Sequence, residues 1–309
     1  MPVLFPRVLV TGAHGLVGQA VVAHLSAWPE CDLLATAREP APLAASRSGG
    51  YAPLDVTDAD ALARVFLDFT PGVVVHCAAD SRVEACENAR EACWTTNVDS
   101  TAALAALCHR HGARLVFLST DFLFDGAAGP YAEDDPPAPV NYYGRTKLAA
   151  ENAIRTSALR RWAIVRTSLV YGSGEGLRRP NLATLLAARL DAGEPFRAAD
   201  DQWRTPTYAP DLADGLGRIV RFDKRGIFHL AGREVVTPFD FARRAAHAFG
   251  LDAGLIVPEK TAVLHPDVPR PLRAGLVVLR AEAELGFHPR PLDDALAHLA
   301  GQLGRPQQV

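Results

Sequence analysis

Short runs of β-branched and other apolar residues alternate with longer alanine-rich stretches through the first half of the chain, the rhythm of repeated βαβ units around a mostly parallel sheet. The apolar runs predict strands at Arg7–Val10, Leu33–Ala37, Val73–Cys77, Leu115–Ser119 and Ala163–Thr167. The stretches between them predict helices at Gly15–Ala27, Asp58–Phe69, Ala89–His111 and Tyr143–Thr156. A run such as VVVHC shows no alternation of apolar and polar positions, so helices are expected on both faces of the sheet. After Tyr171 the texture changes to glycine-rich GSGEG, frequent proline and shorter elements. An amphipathic helix over Pro210–Phe222, followed by the apolar run Gly226–Leu230, then predicts a segment that returns to the first sheet. The expected fold is α/β: a Rossmann-type doubly wound parallel sheet over residues 1–170 with a return segment at about 205–232, and a smaller C-terminal α/β region over 171–309 that is mainly substrate-binding.

Composition narrows the partners. The 309 residues are 49% hydrophobic with a net charge of −3, enough apolar side chain for a sizeable core and no excess of cations for a phosphate backbone, so nucleic acid is not an expected partner. Cys31, Cys77, Cys86, Cys93 and Cys108 show neither CxxC spacing nor neighbouring histidines, and read as free thiols in a cytoplasmic protein with no metal site. The opening MPVLFPRVLVTG lacks the charged start and long apolar core of a signal peptide, and no apolar run reaches the roughly 18 residues needed to cross a bilayer. A soluble protein without membrane partners is the expectation, and a homodimer is the base expectation for its assembly.

The chemistry begins where RVLV runs into Thr11-Gly12-Ala13-His14-Gly15-Leu16-Val17-Gly18, a TGxxGxxG loop that opens a helix. Glycines there permit a tight turn, close approach of the backbone to a pyrophosphate and close helix–strand packing, while the helix N-terminus favours negative charge. Its position between strand and helix points to a dinucleotide rather than a merely structural turn. His14, Leu16 and Val17 go with the loop as cofactor-lining residues, although the imidazole has no legible partner. At the end of the second strand, Arg38 stands where an NAD-preferring protein usually carries an acid; a guanidinium can pair with a 2′-phosphate, so NADP(H) is favoured and NAD(H) is the alternative, as is an ordinary exposed arginine. Asp55, beside Val56, is a candidate either for the adenine amino group or for a helix-start cap.

Tyr143 and Lys147 lie four apart on one face of a predicted helix, so the ammonium is expected near the phenol, lowering its pKa. Isolated, such a spacing is more often a surface pair; here it follows a dinucleotide loop and the strand end Ser119-Thr120-Asp121. Ligands gather at the carboxyl ends of strands in such sheets, so Thr120 and Asp121 are expected to face the site, Thr120 towards a carbonyl oxygen, whereas Asp125-Gly126 reads as a turn. Trp203 and Arg204 offer a flat ring and a cation to a nucleotide base and diphosphate, against a partly buried tryptophan beside a surface arginine. Asn181 is a candidate sugar-nucleotide contact or a helix cap, and Arg270 and Arg273 are candidate diphosphate contacts or solvated cations.

Together TGAHGLVG, LSTDFLFDG and YYGRTK resemble the extended short-chain dehydrogenase/reductase superfamily and, more narrowly, the dTDP-4-dehydrorhamnose reductase group, which includes the related regulatory subunit of methionine adenosyltransferase. HCAADSRVEACE, NVDST, RTSLVYG, DQWRTPTYAPDLA and GIFHLAG follow the same order, so the resemblance covers nearly the whole chain, least specifically its last 40 residues. It implies an NAD(P)H-dependent oxidoreductase that reduces the C4 keto group of a nucleotide-linked 6-deoxy sugar, with Thr120, Tyr143 and Lys147 as the catalytic trio. It further implies that Gly12, Gly15 and Gly18 hold the pyrophosphate, that Cys77, Ala78, Ala79, Ser119 and Thr167-Ser168-Leu169 lie along the cofactor, and that Asn97 supports the site. Ser81, Val83 and Asp121 match substrate contacts. One departure stands out: Leu169 replaces a tryptophan common in the reductases, which weakens the case for a dTDP-rhamnose precursor and matches the aliphatic residue of the regulatory relatives. The alternatives are a sugar-nucleotide epimerase on the same scaffold and a non-catalytic NADP-binding regulatory subunit. Asp121-Phe122 does not supply the acid pair of a dehydratase.

Overall fold

The computed structural model describes residues 7–43 and 50–305; the first six residues, on which part of the signal-peptide expectation rests, lie outside them. The first half runs β1 (Arg7–Thr11), α1 (Leu16–Ser26), β2 (Asp32–Ala37), β3 (Gly50–Pro53), α2 (Ala59–Phe69), β4 (Val73–His76), α3 (Val83–Asn88), α4 (Arg90–Trp94), α5 (Ser100–His111), β5 (Arg114–Thr120), α6 (Tyr142–Thr156) and β6 (Trp162–Thr167). The second half continues β7 (Val170–Tyr171), α7 (Leu182–Asp191), β8 (Phe196–Ala199), β9 (Thr207–Tyr208), α8 (Ala209–Arg221), β10 (Gly226–His229), α9 (Pro238–Ala248), β11 (Ile256–Glu259), α10 (Thr261–Leu264), α11 (Leu279–Leu285) and α12 (Leu292–Gln302).

Seven strands make one sheet in the order β10-β6-β5-β4-β1-β2-β3, every pairing parallel. The strand order reverses between β1 and β4, and crossovers that leave in opposite directions there open a crevice beyond their carboxyl ends. Register brings Thr11 level with His76 and Thr120 level with Thr167 at that edge. One face is covered by α1, α8 and α11 through Val21, Leu25, Leu212, Leu216 and Leu285; the other by α2, α5 and α6 through Leu62, Phe66, Leu104 and Ile154. The protein is thus a Rossmann-type doubly wound α/β fold. A separate core around Tyr171, Leu186, Phe241, Phe249 and Leu296 builds the smaller lobe, where β7 pairs with β9 and β8 with β11.

Two expectations are corrected. The helix predicted over Ala89–His111 is interrupted: α3 begins earlier, Ala89 leaves helical geometry at φ −128°, and Thr95–Asp99 forms a π-helical turn before α5. Cys86 and Cys93 are not free but joined in a disulfide, their Cα atoms 5.2 Å apart, because the break at Ala89 brings α3 back against α4; Cys31, Cys77 and Cys108 are free. Among the described residues, no helix is long and apolar enough to cross a membrane.

Candidate active site

The glycine loop follows β1 directly. Gly12 has φ +71°, and a Cβ there would lie 2.6 Å from the Ala78 amide, so the loop can approach the end of β4 only as glycine. A Cβ on Gly18 would fall 2.1 Å from the Gly12 carbonyl, which fixes how closely α1 leaves the loop. Gly15 caps α1 without any side-chain hydrogen bond, so the first amides of α1 point outward from the loop as an anion cradle. Beneath it, Thr11 Oγ1 meets His76 Nδ1 at 2.7 Å and His76 Nε2 meets Thr101 Oγ1 at 3.2 Å. Burial, and then the nearby Lys147 charge, push the His76 imidazole down to about 3, so this bridge is held by a neutral ring. Sequence reading missed His76; its only signal was a polar residue ending an otherwise apolar strand.

The cofactor-side candidates surround this cradle. Arg38 is exposed at the end of β2, its charge acting on Asp55, whose carboxylate accepts from Thr57 N at 2.9 Å and Thr57 Oγ1 at 2.7 Å. Asp55 therefore shapes a turn, and the cap of α2 is Asp58, accepting from Ala61 N. Val56 is buried, and Cys77, Ala78 and Ala79 continue from β4 over the crevice. His14, left without a partner by the sequence, has one in Glu39, 2.9 Å from its Nδ1. On the far side, Ser119 Oγ is buried and meets no hydrogen-bond partner among the described residues. An uncapped helix start and an orphaned hydroxyl at the two ends of the crevice fit a dinucleotide laid across the switch point.

Thr120 ends β5, and α6 brings Tyr143 to it. Asn141 caps α6 by accepting from Gly144 N at 2.9 Å, and Gly144 sits so near the turn after Thr120 that a Cβ would lie 2.2 Å from the Phe122 carbonyl. Glycine at 144 is what lets the helix start close on that turn. The Thr120 hydroxyl reaches the Tyr143 phenol, and the Phe122 ring packs edge-on against it at 5.8 Å. Burial raises the phenol pKa, only partly offset by Thr120, and the Asp121 and Asp80 charges raise it further, so Tyr143 is a neutral proton donor. Lys147, 2% exposed, donates from Nζ to the Leu118 carbonyl at 2.7 Å and lies 4.0 Å over the Phe117 ring. Here the expectation from i,i+4 spacing is corrected: the ammonium is drawn to the sheet carbonyl, and it is not what sets the phenol. Burial depresses Lys147 to about 7, against the Glu151 charge.

Asn97, on the π-helical turn, donates from Nδ2 to the Asp80 carbonyl at 2.9 Å and to Thr146 Oγ1 at 3.0 Å, while its Oδ1 accepts from Asp80 N at 2.8 Å. It thereby fastens the loop after β4 to the helix that carries Tyr143 and Lys147. Ser81 is exposed on that loop, and Val83 packs with Cys86, Cys93 and Tyr143. Asp121 does not face the crevice: it is 1% exposed and accepts from Ser168 Oγ at 2.7 Å and Thr120 Oγ1 at 3.2 Å. Burial raises its carboxyl despite the opposing charge of Arg204, whose Nε lies 3.6 Å away. Arg204 is equally buried, its guanidinium donating to the Pro271 carbonyl at 2.7 Å and Gln202 Oε1 at 3.1 Å, so it offers no cation to a diphosphate. Trp203 stays 38% exposed. Asn181 is the cap of α7, in a reciprocal capping box, with Nδ2 spent on the Gly172 carbonyl at 2.7 Å. Thr167 Oγ1 donates to Thr207 Oγ1 at 3.1 Å, and Leu169 beside it holds φ +40°, a left-handed backbone unusual for a branched side chain.

Residues 6–304 match the family described as RmlD substrate binding domain. The chain is 33% identical over 303 residues to a probable low-salt glycan biosynthesis reductase of Haloferax volcanii, covering 94% of this chain and 96% of that protein. It is 32% identical over 259 residues to methionine adenosyltransferase 2 subunit beta of Pongo abelii, covering 82% and 75%. Among solved structures, a dTDP-4-dehydrorhamnose reductase of Bacillus anthracis in complex with NADP superposes with a TM-score of 0.85 at 25% identity, over 96% of this chain and 99% of that one.

Proposed function

The chain belongs to the RmlD substrate-binding domain family, and on that premise we propose that it is an NAD(P)H-dependent oxidoreductase that reduces the C4 keto group of a nucleotide-linked 6-deoxy sugar, with dTDP-4-dehydrorhamnose as the leading substrate. The observation that carries this reading is a neutral, buried Tyr143 phenol in contact with Thr120 at the switch-point edge of the sheet, one helical turn from Lys147. NADP(H) is the favoured cofactor, on Arg38 and on the NADP complex of the Bacillus anthracis relative, with NAD(H) as the alternative. Bound in the crevice, the cofactor supplies hydride. Tyr143 gives its proton to the sugar O4 as charge develops there, the general acid of the step. Thr120 turns its hydroxyl from Asp121 to the same oxygen, acting as an oxyanion donor. Lys147 would hold the hydroxyls of the nicotinamide ribose, and Asn97 keeps the loop bearing Ser81 in register with α6.

The test is to mix the purified protein with NADPH or NADH and enzymatically generated dTDP-4-keto-6-deoxy-L-mannose, and to follow loss of nicotinamide absorbance for the wild type and Tyr143→Phe. Turnover that falls by about 10²- to 10⁴-fold in the variant, with cofactor still bound, is expected. No turnover with either cofactor overturns the substrate assignment. A second reading, a cofactor-loaded regulatory subunit, draws support from aliphatic Leu169 and the likeness to methionine adenosyltransferase 2 subunit beta. It predicts co-purification with a methionine adenosyltransferase and silence towards keto sugars.

A further inference from the structure

The segment between β7 and α7, residues 172–181, is strapped across the mouth of the glycine loop. Gln19 of α1 holds it there. Its Nε2 donates both to the His14 carbonyl at 3.0 Å and to the Glu175 carbonyl at 2.8 Å, and its Oε1 accepts from Glu175 N at 2.8 Å. Further along, a Cβ on Gly176 would come 3.6 Å from Leu43, beyond the end of β2. Arg178 then pairs its guanidinium with Glu39. The other oxygen of Glu39 meets His14 Nδ1, the His14 ring stacks on Tyr51 at 5.4 Å and 12°, and Tyr51 Oη donates to the Glu39 carbonyl at 2.5 Å. One carboxylate therefore ties together the glycine loop, the end of β2 and the strap.

Its place matters. The adenosine ribose of a dinucleotide seated on a glycine loop puts its 2′ position just beyond the second strand, where Arg38 and Glu39 stand side by side. Burial would raise the Glu39 carboxyl, but its own amide, Arg178 and His14 outweigh that and keep it ionised. An ionised carboxylate suits a ribose hydroxyl and opposes a phosphate. The Arg178 side chain is 69% exposed and, among the described residues, is joined to nothing more rigid than that carboxylate, so it can exchange one oxyanion for another.

We propose that Glu39 and Arg178 together determine cofactor preference. With NADP(H), Arg178 leaves Glu39 and closes with Arg38 on the 2′-phosphate; with NAD(H), the pair stays made and Glu39 accepts from the ribose hydroxyl. The inference rests on the proposed function, and binding rather than turnover tests it. Dissociation constants for NADPH and NADH, read by nicotinamide fluorescence, and displacement by 2′,5′-ADP against 5′-AMP are measured on the full chain for wild type, Arg178→Ala and Glu39→Gln.

Arg178→Ala is expected to weaken NADPH and 2′,5′-ADP about tenfold, the scale of one charge-assisted hydrogen bond, and to leave NADH and 5′-AMP within about twofold. Glu39→Gln is expected to tighten NADPH several-fold while weakening NADH. Arg178→Ala weakening both dinucleotides equally, or neither, overturns the selector and leaves the reductase reading standing. A wild type that binds neither dinucleotide overturns both.

Discussion

A phenol that keeps its proton through neutrality is suited to giving it up only when an alkoxide forms against it, and burial holds Tyr143 in that condition. Lys147 is the group that titrates in the working range. Its pKa of about 7 means that the ammonium is lost as pH rises through that value, so kcat/KM is expected to fall on the alkaline side of about 7, and a flat profile to pH 9 would refute the assignment. The stability sign follows from the same displacement. Between about 7 and the ordinary 10.5 the unfolded chain binds more protons at this position than the folded one, so the Lys147 contribution makes the fold more stable as pH rises across that window. Asp121 is expected to matter to stability before it matters to rate. Asp121→Ala leaves the buried Arg204 guanidinium without its counter-charge, at a cost of about 3–5 kcal/mol measured by denaturant unfolding, whereas an exposed carboxylate would cost almost nothing. These roles show where sequence reading stops. The types and order of Thr120, Asp121, Tyr143 and Lys147 were legible, but which of them point into the crevice depends on Arg204, far along the chain from Asp121, and on the Leu118 carbonyl, on a different element from Lys147.

At the scale of elements, the site is made by three close approaches that only glycine allows, at Gly12, Gly18 and Gly144. Gly144→Ala is expected to push the start of α6 away from the Phe122 carbonyl, costing about 1–3 kcal/mol in overpacking and, by displacing Tyr143 from Thr120, more than tenfold in turnover; a variant with wild-type melting and turnover would contradict this. Gly12, Gly15 and Gly18 announced themselves by spacing, while Gly144, inside a helix pattern, did not, because nothing local reveals a carbonyl arriving from the preceding turn. The interrupted helix before α5 has the same cause. ENAREACW is compatible with continuous helix by propensity, and nothing local in it reveals the break at Ala89, which goes with the Cys86–Cys93 link and with the hold of Asn97 on Asp80 and Thr146. Periodicity reports the face that a helix buries, and it is silent about a side chain that hooks a neighbouring loop.

For the whole molecule, the parallel sheet was legible because buried strands and covering helices write period and length into the chain, whereas the small lobe was legible only as a change of texture and its strands were not, since β7, β8, β9 and β11 are only two to four residues long. The chain enters that lobe at β7, leaves it with α8 and β10, re-enters it at α9, returns to the sheet with α11 and ends in the lobe at α12, so each of the two cores draws on residues far apart in sequence. Arg166 and Glu151, paired in two bonds at 3.0 and 2.8 Å and almost wholly buried, bind β6 to α6 under the same edge, with the Glu133 carbonyl as a further acceptor. Thermal unfolding is accordingly expected to be a single transition, followed alike by near-ultraviolet and far-ultraviolet circular dichroism; two separated steps would show the lobes to be independent. The return of α8 against α1 also limits how such a protein can be recombined. A chimaera that exchanged everything after residue 170 would strip the native partner from α1 and the edge strand from β6, so a graft of new sugar specificity has to leave residues 209–230 and α11 with the host and replace only the stretches that build the small lobe.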